Sequence, residues 1–144
     1  MSEDIQVESF AAWMLAAQLI AATLPAPIST AATFLAQIGG PVHTDIVMVD
    51  HRPTQVSQAA EAWHYEGDTH VYIATYTDTY KAAMRGDHAA IVKLASIIAH
   101  EQVHVMGGDE SAAYAKQLST LRALQAPSNV IDGVQRAMKT VVSR

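Results

Sequence analysis

IIAHEQVHVMGGDESAAY, residues 97–114, holds two histidines four apart, a glutamate directly after the first, a double glycine and then two consecutive acids. On a helix, residues four apart share a face one turn apart, so the imidazoles of His100 and His104 can converge on one point. Glu101 lies about one hundred degrees around the same helix, which suits a water held beside an ion better than ligation of the ion itself. Asp87 can cap a helix that runs from His88 to about Met106 and is broken by Gly107-Gly108. Ile91, Leu94, Ala95, Ile98 and Val105 predict a core-facing stripe, and His100 and His104 fall on a different face with Lys93, Ser96 and Gly107. One face in the core and one over a cleft is what a metal-binding helix needs.

Working outward, Asp109 or a neighbour caps a following helix to about Gln125, Pro127 interrupts, and a last helix fills 129–142. On the other side, residues 5–24 read as a first helix closed by Pro25 and Pro27, and 28–38 as a second, ending at Gly39-Gly40-Pro41. TDIVMVDH (44–51) reads as a strand stopped by Pro53, and 55–62 as a helical turn or two. AWHYEGDTHVYIATY (62–76) reads as a hairpin turning at Gly67-Asp68, and Asp78 can cap a short helix ending near Gly86. Helices, a small sheet, then helices predict an α+β fold. The chain is expected to form one helix-rich domain over residues 1–144, with the sheet or hairpin packed beside the helix of His100 and His104.

Composition bounds the chemistry. At 144 residues, half of them apolar and 16% charged, the chain can bury a core and does not match a disordered composition. It has no cysteine, so any zinc site must be built from His, Asp and Glu. The net charge is −5 and no basic stripe with interleaved aromatics occurs, so no nucleic-acid partner is expected. The apolar run FAAWMLAAQLIAATL (10–24) follows Glu3, Asp4 and Glu8 where a signal peptide wants positive charge, and it is short for a bilayer span. Its spacing predicts a buried amphipathic helix, completing the core or forming a subunit interface, in a cytoplasmic protein with no membrane partner.

His-Glu-x-x-His is a weak pattern alone; uncharged neighbours at Ile97, Ile98, Ala99, Gln102, Val103, Val105 and Met106 make it stricter. These residues resemble the active-site helix of the zincin metallopeptidases, over about fifteen positions. The resemblance implies a Zn2+ cofactor, His100 and His104 as ligands, Glu101 as general base, and a peptide or protein substrate. It also implies a strand edge that takes up extended peptide, here within 69–76, with His70, Tyr72 and Ala74 as the candidate edge. One zincin branch places its third ligand six residues after the second histidine, beyond a glycine; Gly107 and Glu110 stand at those positions. Another branch uses a glutamate from a later helix, and Glu110 also starts one. Glu110 is therefore the expected third ligand and Asp109 the alternative, although Asp109 suits a helix cap or a bond from a ligating imidazole equally. The metzincin methionine turn has no counterpart, since Met138 falls in an expected helix. Tyr114, one turn after Glu110, is a candidate donor to the transition-state oxyanion, or a plain half-buried tyrosine.

His43, His51, His64, His70 and His88 show no tight ligand spacing, and only His64 and His70 would line a cleft beside the hairpin. Two other readings stand beside the peptidase. A zinc-binding module that does not cut peptides, or blocks itself, fits the small size. A ferritin-like di-iron bundle fits EAWH (61–64) and EQVH (101–104), both Glu-x-x-His, but it needs the first on a long helix where a hairpin is predicted.

Overall fold

The computed structural model describes residues 24–142. All but the last residue of the helix expected over 5–24 lies outside that range. Among the described residues, five helices and a three-stranded sheet make up an α+β architecture. Helix α1 (Ala26–Gln37) starts two residues earlier than expected: Pro27 sits in its first turn, where a missing N–H leaves no helical bond unmade. Strands β1 (Asp45–Val49), β2 (Ala62–Trp63) and β3 (His70–Ala74) follow, and residues 55–61 form turns and bends where a helical turn was expected. Helix α2 (Asp78–Met84) is capped by Thr77, whose side chain accepts from the Tyr80 N–H, so Asp78 is its first helical residue and not its cap. Asp87 caps α3 (His88–Val105) and Asp109 caps α4 (Glu110–Ala123), as their positions predict. The last helix, α5, spans Ser128–Val142.

The sheet order is β1-β3-β2. β1 runs parallel to β3 from Asp45 opposite His70 to Val49 opposite Ala74, and β2 pairs antiparallel through Ala62–Ile73 and Trp63–Tyr72. The hairpin of 62–76 thus exists, with one arm only two residues long. β3 is the middle strand, which overturns His70, Tyr72 and Ala74 as a substrate edge. Tyr72 and Ile73 are paired on both sides, and the Ala74 N–H donates to the Glu61 carbonyl at 3.0 Å. An added strand would have to pair outside β1 or β2. EAWH likewise lies on β2 and its flanks, so it cannot form the helix a ferritin-like bundle requires.

Helix α3 is the hub: it packs against α1, α2, α4, β2 and β3. Ile28, Leu35, Val71, Ile73, Leu94 and Ile98 form the centre of the core, each almost fully buried. Each such side chain stabilises the fold by roughly 1.5–3 kcal/mol relative to exposure. Because neighbours surround it, α3 is buried on nearly every side from Ile91 to Gln102. The expected single stripe is therefore too narrow a description, and His100 and Glu101 are themselves buried. A buried polar side chain needs partners, and theirs define the site.

Candidate metal centre

The double glycine brings α4 back to α3. Gly107 has φ +91° and donates its N–H to the His104 carbonyl, and the Gly108 N–H donates to the Val103 carbonyl, each at 2.9 Å. This bond pair ends a helix on a residue that only glycine adopts at low cost. At Gly108 the constraint is space: a Cβ would collide with Val103 Cγ1 and stand 3.1 Å from the Val103 carbonyl oxygen. Two residues later Glu110 opens α4 and points back to the histidines.

His104 Nε2 is in direct contact with Glu110 Oε1, and His100 Nε2 lies 3.5 Å from the same oxygen. Atoms of all three residues suited to ligation fall within 4.8 Å of one another, and His100, His104 and Glu110 could hold a metal ion.

The far sides of both rings are fixed. His104 Nδ1 lies 3.0 Å from the Gly108 carbonyl, which can only accept, so Nδ1 carries a proton and Nε2 is the ring atom turned to Glu110. His100 Nδ1 lies 2.9 Å from Gln117 Oε1; Gln117 Nε2 donates to Ser96 Oγ, and Ser96 Oγ to the Lys93 carbonyl. That chain assigns the Gln117 amide as acceptor toward His100 Nδ1 and turns His100 Nε2 toward Glu110. Burial pushes the His100 pKa down against the raising effect of Glu110, which favours the neutral imidazole a ligand must be. Two imidazoles and one carboxylate, each ring braced from behind, fit a metal ion. Gln117→Leu keeps the volume and removes the acceptor for His100. It should weaken metal-ion binding by about 10–100-fold, measured by competition with a chromophoric chelator.

Asp109 has a different task. Its side chain accepts from the Ala112 N–H at 2.8 Å and caps α4, so Glu110 is the acid that meets the histidines. Glu101 Oε1 lies 4.0 Å from His100 Nε2, and Oε2 lies 3.0 Å from His64 Nδ1. Burial is the first cause that raises the Glu101 pKa to about 7. The Tyr114 ring stands edge-on to His100, with centroids 4.7 Å apart, and burial raises its pKa.

On the side of His100 and Glu101 lies a cleft of about 480 Å³. His100, Glu101, Tyr114 and Gln117 border one part of it, and Val130, Gly133, Val134 and Ala137 of α5 provide an apolar wall. Lys93 also lines it but is paired with Glu61 at 3.0 Å. His70 turns instead to Asp68 and, at 3.7 Å, to Asp45.

His64 and Gln117 join the site without a ligand-like spacing to mark them. Gln117 stands seven residues after Glu110, two turns along the same face of α4, and that period is a usable signal. His64 has no comparable local signal. Among the described residues, no helix is long and apolar enough to cross a membrane. No family model, curated protein or solved structure matches the chain.

Proposed function

We propose that this protein is a zinc-dependent peptidase of the zincin type, acting on a peptide or protein segment. One observation carries the reading: His100, His104 and Glu110 converge while a fourth polar group, Glu101, stands beside them without joining them, at the border of a cleft. A purely structural ion site has no use for that carboxyl.

Zinc, when bound, supplies a Lewis acid and lowers the pKa of an attacking water to about 7. Glu101 takes one proton from that water as its oxygen bonds to the peptide carbonyl carbon. It then gives the proton to the leaving nitrogen as the C–N bond breaks, so water is added across the bond and the carboxyl returns to its starting state. Burial, which raises the Glu101 pKa in the metal-free protein, favours a carboxyl that can hold and return the proton. Gln117 and the Gly108 carbonyl hold the imidazoles in register throughout. Tyr114 is the candidate donor to the developing oxyanion.

The α5 wall fits an apolar substrate side chain next to the scissile bond. Gly133 lines the cleft, and a Cβ added there meets only Arg136 Nη2, at 3.9 Å, so a larger residue can be accepted. Gly133→Leu should shift cleavage toward smaller side chains by about tenfold or more in relative kcat/KM, with zinc content unchanged. A peptide library profiled by mass spectrometry reads this directly.

The same library tests the function itself. Hydrolysis should occur with zinc-loaded protein, stop after chelation and return on adding zinc. A protein that holds zinc and cuts no peptide would be a non-proteolytic zinc module.

A further inference from the structure

Glu101 is buried, and among the described residues its side-chain hydrogen bond is to an imidazole on the sheet: His64 Nδ1, 3.0 Å from Oε2. The His64 ring lies flat on His104, with centroids 4.7 Å apart and planes inclined by 13°. His64 leaves the end of β2 directly after Trp63, which is buried and stacks on Tyr72 with centroids 6.2 Å apart and planes within 7°. Its backbone is thus anchored, one ring face is braced, and one ring nitrogen is committed to Glu101.

The consequence concerns the other carboxylate oxygen. Oε1 stands 4.0 Å from His100 Nε2, close to the position where the ligand atoms converge. A carboxylate that near an ion is itself a good ligand, and an untethered one would turn onto the ion and fill the position a reactant needs. The bond to His64 opposes that turn.

We propose that His64 is a positioning residue of this site: an Nδ1–H donor, braced on His104, that holds the Glu101 carboxylate beside the metal position and off it. The sheet thereby contributes to the alignment of a base carried on α3. The kinetic consequence rests on the peptidase reading above; the hydrogen bond itself does not.

Two experiments separate these. In metal-free wild type above neutral pH, nitrogen-15 spectra of the histidine rings should show a proton on His64 Nδ1, protected from exchange, and Glu101→Ala should abolish the protection. A bare Nδ1, or protection unchanged by Glu101→Ala, would overturn the proposal. With zinc-loaded protein and the cleaved library peptides, His64→Leu should lower kcat by about 10–100-fold at unchanged KM and zinc content. His64→Asn sets an amide donor where Nδ1 stood and should restore most of the loss, a rescue that a packing role would not produce. Wild-type kcat in His64→Leu, or no rescue by Asn, would overturn it too. If wild type cuts no peptide the enzyme reading falls, and the ring spectra alone decide the role of His64.

Discussion

Glu110→Ala should lose zinc, with affinity down by well over a hundredfold, while Asp109→Ala keeps it. The two acids are neighbours of the same charge, so a general electrostatic effect predicts similar losses from both. The geometry does not. Glu110 Oε1 meets Nε2 of both histidines, whereas Asp109 is engaged by the Ala112 N–H at the start of α4. Removing groups that merely orient a ligand weakens metal binding by about 10–100-fold, which sets a floor for removing a ligand. Asp109→Ala instead removes a helix cap and should lower stability by about 1 kcal/mol. Calorimetric zinc titration reads the first effect and urea unfolding the second. Equal zinc affinity in both variants would take Glu110 out of the ligand set.

Glu101→Gln should abolish peptide hydrolysis, by about 10²–10⁴-fold in kcat, and retain zinc. The amide keeps the shape and a bond to His64 but cannot take a proton from water. The same substitution has a signature in metal-free protein. Burial raises the Glu101 pKa from its ordinary 4.5 to about 7, so the folded state binds this proton more tightly than the unfolded state does. Stability then falls as pH rises from about 4.5 to about 7 and is constant for this group above that range. Gln has no such ionisation. Metal-free Glu101→Gln should therefore gain on wild type across that window, by on the order of 2 kcal/mol at its upper end. Wild-type turnover in Glu101→Gln would rule it out as the base. An unchanged stability gap across the window would show that its carboxyl titrates as in water.

How much of this was legible in the chain divides by sequence distance. The helix of His100 and His104, its Asp87 cap, the Gly107-Gly108 break and the return at Glu110 are encoded within about two dozen residues, where period, capping chemistry and glycine geometry act locally. Glu110 is already preferred to Asp109 from its place six residues after His104; the Schellman-type bonds at Gly107 and Gly108 show how the chain turns Glu110 back while Asp109 caps α4. The error of one residue at Thr77 and Asp78 arises because two good caps stand side by side. The substrate edge failed for a different reason. That β3 is central depends on a parallel partner 25 residues earlier, and no local pattern announces which segments of a sheet will pair. His64 shows the same limit, since it reaches Glu101 across 37 residues only because the sheet docks on α3.

The most direct test of the account is the zinc content of wild type and of His104→Ala after reconstitution with zinc and exhaustive dialysis. About one tightly held zinc per chain in wild type, and none in His104→Ala, is the predicted result. No retained zinc in wild type, or equal retention in both proteins, would contradict a metal centre at His100, His104 and Glu110.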